Sequence, residues 1–404
     1  MRVLLLVIDG MADMSHPQLG WRTPLQAAPT PNLDRLAAEG CCALMYPLRP
    51  GVCPSSEVAH WSMFGYAPEE FPGRAYLHAL AAGVPCHPGD ALFMLNLVPV
   101  ERRGEGLFVL DGSEVPVAEA CRELAGKMAR LAPEGMAVHY MGGIEYIAVV
   151  GGGSPRLPAT DPFLHHRPVG RLRAEAGWED DERTRKTLGI LEAYWDAVAG
   201  MLAGEADRRH GGLGLIMKWP SRAEGVEPFA SRHGMRAGAA VSTPCFEGLA
   251  KLLSMAWEKT PESGAEDEVH GKLEAARRLF RQGAEFVFVH TKQADEAAHR
   301  GDPAAKAEVI AAVDRALGRM PGLLADPDLL AVVTADHSTP TTRDPRVIHG
   351  GDPVPVLFHG ATVRRDGLER FDEVSAASGG MGQLRGEDLM PLVLYLSRRA
   401  PFGA

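Results

Sequence analysis

Three short, largely apolar runs constrain the fold of this chain most strongly. They cover residues 3–8, 285–290 and 329–334, and valine, isoleucine, leucine and phenylalanine dominate them. Runs of this length without polar alternation predict strands that are buried on both faces, as in a parallel sheet. We therefore expect an α/β fold with a mostly parallel sheet and helices on both faces.

Polar residues follow two of these runs directly. Asp9 ends the first run, and Asp336 and His337 come just after the third, with His349 a short way downstream. The carboxyl ends of parallel strands are where chemistry sits in open α/β sheets, and a carboxylate beside an imidazole is a common pair of metal ligands. The alternative is a polar turn after a core strand, which Asp-Gly often forms.

Two further segments carry candidate ligands. Asp295 and His299 follow the second run and are four residues apart, so on a helix they share one face. The alternative is a surface pair of a kind common on helices. Ser56 opens a predicted helix, where unpaired backbone N–H groups and the helix dipole favour a phosphate or an activated alkoxide. The alternative there is simple N-capping.

Counted together, these residues fit two metal sites. One interpretation places Asp295, His299 and His349 at one metal and the strand-end residues at the other, with Ser56 near both. Mixed nitrogen and oxygen ligands favour Mn²⁺ or Zn²⁺ over Mg²⁺. Two divalent metal ions roughly 4 Å apart lower the pKa of a serine hydroxyl and neutralise a phosphoryl group.

The middle of the chain differs from its ends. Short predicted strands, glycine-rich turns and basic residues between positions 77 and 190 predict a smaller inserted α/β domain. Residues 1–76 and 191–404 would then form the metal-binding core, and residues 214–218 would return the chain to the main sheet. The basic residues of the insert contact an anionic substrate or lie on a solvated surface, and the sequence leaves both readings open.

Composition excludes several classes of protein. The chain of 404 residues is 46% hydrophobic and 23% charged, typical of a globular protein. Its net charge of −10 and its lack of a basic tract argue against a nucleic-acid partner. Six cysteines without a C-x-x-C pair predict reduced thiols and a cytoplasmic location. We expect no signal peptide and no membrane span, and an oligomer is compatible with the sequence.

The motifs also resemble a known family. Their order is Asp…Thr-Pro-Asn-Leu-Asp-Arg-Leu…Ser-Glu-Val-x-His…Asp-x-x-x-His…Asp-His-Ser-Thr-Pro…His-x-Gly-Asp-Pro-Val-Pro. This order resembles the alkaline phosphatase superfamily and, more closely, the archaeal-type branch of the cofactor-independent phosphoglycerate mutases. The resemblance implies an alkaline-phosphatase-like core and a ping-pong reaction through a phosphoserine on a small phosphorylated metabolite, 3-phosphoglycerate or 2-phosphoglycerate.

The resemblance also assigns roles to residues. It implies Ser56 as the nucleophile and Lys292 as a residue that helps to hold the phosphoryl group. It implies one metal bound by Asp9, Ser56, Asp336 and His337, and a second bound by Asp295, His299 and His349. Four basic residues of the insert and its exit are then candidates for substrate binding: Arg102, Arg103, Arg167 and Lys218.

The substrate-binding pattern departs from that family. Met94 stands where the family strand Ala-Phe-Arg-Cys-Asn has its arginine, and residues 217–220 replace an Arg-Gly-Ala-Gly segment. A planar guanidinium binds carboxylate and phosphate through two hydrogen bonds, so its loss alters recognition. The alternatives are a metal-dependent phosphatase or phosphodiesterase, a kinase-like transferase with another substrate, and a non-catalytic protein that kept the fold.

Overall fold

The computed structural model describes residues 1–104, 106–111, 114–205, 212–344 and 346–402. In chain order, its strands are β1 (Arg2–Ile8), β2 (Cys41–Tyr46), β3 (Ala91–Arg103), β4 (Gly106–Val109), β5 (Met136–Gly142), β6 (Glu145–Val150), β7 (Leu213–Arg222), β8 (Ala237–Val241), β9 (Ala256–Lys259), β10 (Phe286–Thr291), β11 (Leu329–Thr334), β12 (Val354–His359) and β13 (Gln383–Arg385).

Helices separate most of these strands. In chain order they are α1 (Pro24–Ala27), α2 (Pro31–Ala38), α3 (Ser56–Met63), α4 (Arg74–Ala82), α5 (Glu114–Arg130), α6 (Glu182–Glu205), α7 (Phe229–His233), α8 (Pro244–Leu252), α9 (Ala265–Arg281), α10 (Gln293–His299), α11 (Pro303–Gly318), α12 (Pro321–Leu324), α13 (Glu373–Ala376) and α14 (Gly386–Leu396). Single 3₁₀ turns lie at Pro17–Leu19 and Pro68–Glu70.

The chain divides into two compact units. Unit 1 consists of Met1–Phe71 and Glu227–Ala404, and unit 2 of Pro72–Val226. The sequence-based limits were 77 and 190, so unit 2 begins earlier and ends later than the predicted insert. Unit 2 ends later because β7 pairs with β3 and α6 packs against β7, so both elements belong to unit 2.

Unit 1 is built on one large sheet. Among the described residues it has eight strands in the order β13-β2-β12-β11-β1-β10-β8-β9. The central strands β11, β1, β10 and β8 run parallel, and β12 runs antiparallel to both of its neighbours. The predicted α/β class and the mostly parallel sheet are therefore confirmed.

The apolar runs occupy the centre of this sheet. Every residue of β10 and β11 is buried, and so are residues 3–8 of β1. Because successive side chains of a strand point to opposite faces, this pattern requires cover on both faces. Helix α9 packs against β10 and β8, and α12 packs against β11.

Unit 2 has its own sheet and core. Strands β4, β3, β6 and β5 are neighbours in that order, and β7 pairs antiparallel with β3. The prediction that residues 214–218 return to the main sheet was therefore wrong. An apolar run indicates a buried strand but not its partner, and here β7 completes the smaller sheet. Helices α5 and α6 cover that sheet, with Cys121, Leu124, Leu191 and Tyr194 in its core.

Within the described parts of the chain, no helix is both long enough and apolar enough to cross a membrane.

Candidate metal centre

The ends of the central strands of unit 1 bring the predicted acidic residues together. Strand β1 lies between β10 and β11, so Asp9 after β1 and Asp336 after β11 meet at the carboxyl ends of these parallel strands. The backbone N–H of Gly10 donates to Asp336 Oδ1 at 3.1 Å. Asp9 and Asp336 are both buried. Parallel pairing alone therefore places two carboxylates side by side.

His337 lies at the centre of this group. Its Nε2 is 3.3 Å from Asp9 Oδ1, 3.3 Å from Asp336 Oδ2 and 3.0 Å from Ser56 Oγ. Its Nδ1 lies 3.1 Å from Thr339 Oγ1. That hydroxyl donates its proton to Asp295 Oδ1 at 2.8 Å, so it accepts a hydrogen bond from His337 Nδ1–H.

This hydrogen-bond chain fixes the tautomer of His337. With the ring proton on Nδ1, the lone pair of Nε2 faces the two carboxylates and the serine hydroxyl. A carboxylate or hydroxyl behind the distal nitrogen is the usual support of a metal-ligating histidine. His337 is therefore arranged as a ligand or as an acceptor for the Ser56 proton.

The second predicted group lies next to the first. His299 Nε2 is 3.2 Å and His349 Nε2 is 3.8 Å from Asp295 Oδ1. His349 Nδ1 lies 2.7 Å from the carbonyl of Pro54, which can only accept, so its Nε2 also presents a lone pair. The rings of His349 and His337 stack with centroids 3.6 Å apart. The two groups thus form one continuous site.

The carboxyl group of Asp295 in this second group has a lowered pKa. Burial alone would raise its pKa, but the hydrogen bond from His299 and the other nearby donors bring the pKa below its usual range. Helix α10 explains the pairing, because residues four apart on a helix share a face.

Ser56 is the first residue of α3, and Ser55 is its N-cap. The N–H groups of a first helical turn have no partner within the helix, and the dipole there favours negative charge. The Ser56 hydroxyl therefore combines a hydrogen bond to His337 with a helix start that stabilises an oxyanion or a phosphoryl oxygen. We call this set the acid–histidine cluster: Asp9, Ser56, Asp295, His299, Asp336, His337 and His349.

Two buried histidines border the cluster, and the sequence reasoning gave neither of them a role, although His60 closes the Ser-Glu-Val-x-His motif. His290, in β10, lies with Nε2 3.1 Å from Asp9 Oδ2. His60 lies with Nδ1 2.7 Å from the carbonyl of Ser56 and 3.7 Å from Asp336 Oδ2. Both rings therefore present an N–H towards the cluster, which suits a supporting role. A signal existed, since His290 ends an apolar strand and His60 lies one helical turn after Ser56.

Burial dominates the electrostatics of the first group. It raises the pKa of Asp9 well above its ordinary value, and the charges of Asp336 and Asp295 add to this. Burial also raises the pKa of Asp336, although His60 and the Gly10 N–H act in the opposite direction. It lowers the pKa of His337 well below the usual range, and His349 adds to that shift. Ionised carboxylates so close together need a cation to stabilise them.

Unpaired atoms show that these residues fit metal ions. Among the described residues, Asp9 Oδ1 and Asp336 Oδ2 are buried without a hydrogen-bond partner. Ligand atoms lie within 4.8 Å of one another in two relevant sets, Asp9 with Asp336 and His337, and Asp295 with His337 and His349. Buried polar atoms are rarely left unpaired, so oxygen and nitrogen atoms converging in this way suit a divalent cation.

Gly10 makes the close approach of the strand ends possible. Its φ of 65° lies in the left-handed region, and a Cβ there would collide with Thr339 Oγ1 and with Asp295. No other residue would let the loop after β1 pass so close to both ligand groups.

Lys292 lies at the edge of the cluster. It is the N-cap of α10 and is about half exposed, with Nζ 3.9 Å from Glu296 Oε1. Its positive charge acts to lower the pKa of Asp9, against the effect of burial. A mobile cation in this place can meet an anion that approaches the cluster.

The other basic candidates lie in unit 2 and do not form one group. Arg102 and Arg103 are exposed at the end of β3, opposite Leu107 and Gly106, and Arg167 is also exposed. Lys218, on β7, lies opposite Met94 of β3. Met94 comes eight residues before Arg102 along β3, which separates Lys218 from Arg102 by roughly 25 Å. These four residues therefore cannot bind one small anion together.

Lys218 has a distinctive neighbour. Its Nζ lies 4.2 Å from the centre of the Trp219 ring, and the Arg74 guanidinium lies 4.1 Å from the same ring. Trp219 has a φ of 53° and lies between Lys218 and Ser221, where the pairing of β3 with β7 shifts register. Bulges of this kind redirect side chains and are frequent beside binding sites.

The fold and the cluster together define an α/β metalloenzyme. Residues 1–396 match the family model described as the metalloenzyme superfamily, and the chain belongs to that superfamily, in its branch of 2,3-bisphosphoglycerate-independent phosphoglycerate mutases. Such a mutase of Methanocaldococcus jannaschii, named mutase 2, is 32% identical over 99% of this chain and 94% of its own length.

Solved structures agree with this placement. A protein from Pyrococcus horikoshii superposes with a TM-score of 0.80 at 26% identity, covering 100% of this chain and 99% of its own. The cofactor-independent phosphoglycerate mutase from Thermoplasma acidophilum superposes with a TM-score of 0.67 at 26% identity, covering 98% and 99%. The predicted family is therefore confirmed.

Proposed function

We propose that this chain is a two-metal phosphotransferase that interconverts 3-phosphoglycerate and 2-phosphoglycerate through a phosphoserine at Ser56. One observation carries the proposal most directly. The Ser56 hydroxyl opens a helix and lies 3.0 Å from His337 Nε2, which is itself 3.3 Å from Asp9 and from Asp336. The names of relatives that are 32–33% identical support the same activity.

We divide the ligands between two cations as the family resemblance implies. One cation is held by Asp9, Ser56, Asp336 and His337, and the other by Asp295, His299 and His349. The mixed nitrogen and oxygen donors favour Mn²⁺ or Zn²⁺ over Mg²⁺. When bound, such a pair lowers the pKa of a serine hydroxyl and neutralises charge on a phosphoryl group.

The protein's own groups then divide the work. The Ser56 oxygen attacks phosphorus, so an O–P bond to serine forms while the bond from phosphorus to the substrate oxygen breaks. The serine proton passes to the freed substrate oxygen, which becomes a hydroxyl. The first turn of α3 and the Lys292 ammonium stabilise the phosphoryl oxygens. Transfer to the neighbouring hydroxyl reverses these steps and restores Ser56.

The basic residues of unit 2 are our candidates for substrate binding. We assign Lys218 to the substrate because it is partly buried and stands opposite Met94, on the strand where related mutases have an arginine. Arg102, Arg103 and Arg167 are exposed, so we assign them to the long-range attraction of the anion. The six cysteines, all of them described, are free thiols, which supports a cytoplasmic enzyme.

A product assay tests the proposal. The protein is stripped of metal with a chelator, reconstituted with Mn²⁺ or Zn²⁺, and given 3-phosphoglycerate while 2-phosphoglycerate and free phosphate are followed together. We expect the isomer in large excess over phosphate, and no turnover in excess chelator. Free phosphate as the sole product would contradict the mutase and indicate a hydrolase. Full turnover after verified metal loss would contradict the two-metal site.

A further inference from the structure

Lys306 is a fully buried lysine that the catalytic scheme does not use. It lies in the first turns of α11, and the Asp302 side chain caps that helix by accepting from Ala304 N and Ala305 N, both at 3.0 Å. Burying an ammonium is costly unless each of its protons finds an acceptor. The surroundings of Lys306 meet that condition with three acceptors.

The three acceptors lie on two loops. Lys306 Nζ donates to Thr339 O at 2.8 Å, to Asp13 Oδ2 at 2.9 Å and to Ala12 O at 3.1 Å. Ala12 and Asp13 belong to the loop that begins at Asp9, residues 9–13, which we call the first ligand loop. Thr339 belongs to the loop that carries Asp336 and His337, residues 336–341, which we call the second ligand loop.

Other bonds join the same two loops around this ammonium. Thr339 N donates to Ala12 O at 3.0 Å, and Asp13 accepts from Thr341 N at 3.0 Å and from Thr341 Oγ1 at 2.5 Å. Thr339 is also the residue whose hydroxyl links His337 Nδ1 to Asp295. The position of Thr339 therefore sets the orientation of one proposed ligand in each metal group.

We propose that Lys306 is a positioning residue that holds the two ligand loops together and so keeps the acid–histidine cluster ready to bind metal. This inference rests on the proposed metal site. It assigns to Lys306 no contact with substrate and no proton transfer. Its effect passes through the backbone of Ala12 and Thr339 and through the Asp13 carboxylate. Removing the ammonium takes one hydrogen bond from each of these three acceptors and so weakens the link between the two loops.

The test measures metal affinity rather than turnover. Chelator-stripped wild type, Lys306→Met and the double variant Lys306→Met with Asp13→Asn are titrated with Mn²⁺ by calorimetry. The double variant removes the buried carboxylate that the single variant leaves without its partner, so it covers the case in which the single variant does not fold. We expect both variants to bind Mn²⁺ about 10- to 100-fold more weakly than the wild type.

Lys272 offers a matched control. It is also fully buried, and its ammonium pairs with Glu268 and donates to Ser242 Oγ at 3.1 Å, so its partners lie outside both ligand loops. Lys272→Met also loses a buried ion pair, and urea unfolding reports how much stability each variant loses. We expect its Mn²⁺ affinity to stay within about threefold of the wild type even where its urea midpoint falls.

The outcomes are distinct. Wild-type affinity in the folded double variant would overturn the role of Lys306, and so would an equal loss of affinity in Lys272→Met, which would show general destabilisation. A wild type that binds neither Mn²⁺ nor Zn²⁺ would instead refute the proposed metal site, and this inference with it. Weak binding in both Lys306 variants with normal binding in Lys272→Met supports it.

Discussion

At the scale of single residues, hydrogen-bond partners orient the imidazoles of His337, His349 and the neighbouring His60. The carbonyls of Pro54 and Ser56 can only accept, so His349 and His60 each direct an N–H to a carbonyl. His337 directs its N–H to Thr339, whose own proton goes to Asp295. The orientation of each lone pair therefore follows from hydrogen-bond counting.

Glu373 is a residue-scale feature whose ionisation should be measurable. Its carboxyl group accepts from Thr23 Oγ1 at 2.7 Å and from Asp13 N at 3.1 Å. Burial raises its pKa from 4.5 to about 7, against the effect of these hydrogen bonds. In the unfolded chain the pKa returns to its ordinary value. The folded state therefore binds the proton more tightly, and the resulting stability is full below pH 4.5 and is lost as the pH rises through 7.

We predict that Glu373→Gln removes this dependence on pH. Glutamine keeps an acceptor oxygen but does not ionise. The free energy of unfolding of Glu373→Gln, relative to that of the wild type, should therefore rise between pH 5 and pH 8 by at most about 3 kcal/mol. Urea unfolding of both metal-free proteins at these two pH values measures it. The same change of stability with pH in both proteins would show that Glu373 does not titrate as proposed.

The structure brings together residues that sequence reasoning selected from strand ends, from the spacing of Asp295 and His299 on a helix, and from the helix start at Ser56. The sequence-based division of them between two metals stays a prediction, since His337 lies in both sets of converging atoms. Sequence reasoning also gave no role to His60 and His290. A histidine inside an apolar segment has the same sequence signal whether it is core or support, and only the distance from Asp9 or Asp336 separates the two cases.

At the scale of elements, strands β3 and β7 determine how far apart the basic candidates lie. Their pairing places Lys218 opposite Met94 and leaves Arg102 at the far end of β3, beside the turn to β4. The element prediction was good for β1, β10 and β11, whose short runs are almost entirely apolar. It failed for β7, because the pattern of a strand does not specify which sheet it joins.

We predict unequal effects from these two regions. A charged hydrogen bond contributes about 1.5–3 kcal/mol, so Lys218→Gln should lower kcat/KM for 3-phosphoglycerate by roughly 10- to 100-fold. The triple variant Arg102→Gln, Arg103→Gln, Arg167→Gln should have a smaller effect that disappears at high salt, because exposed charges act at long range. Steady-state kinetics at low and high ionic strength measures both. A larger loss in the triple variant would contradict the assignment of Lys218.

At the scale of the whole molecule, the two units have separate sheets and separate cores. All of the acid–histidine cluster belongs to unit 1. The sequence predicted an inserted domain from its change in composition, but it could not give the limits, because α6 and β7 resemble elements of the core. Which sheet a segment completes is decided by pairing over long distances in sequence.

We predict that metal protects the units unequally. A ligand that binds only the native state raises the opening free energy of the region it holds, by about 2.7 kcal/mol at 100 times its Kd. Adding Mn²⁺ to the chelator-stripped protein should slow hydrogen exchange in residues 9–13 and 336–341. The sheet formed by β3, β5 and β6 should exchange as before. Equal protection of that sheet and the ligand loops would contradict a site confined to unit 1.

Trapping the phosphoserine tests the account most directly. Metal-loaded protein is mixed with ³²P-labelled 3-phosphoglycerate, quenched in acid on the time scale of one turnover, and mapped by peptide mass spectrometry. The account predicts label on Ser56 in the wild type and in Ser55→Ala, no label in Ser56→Ala, and a loss of turnover of more than about 10⁴-fold in that variant alone. Near-normal turnover of Ser56→Ala, with no label on the Ser56 peptide of the wild type at any quench time, would contradict it.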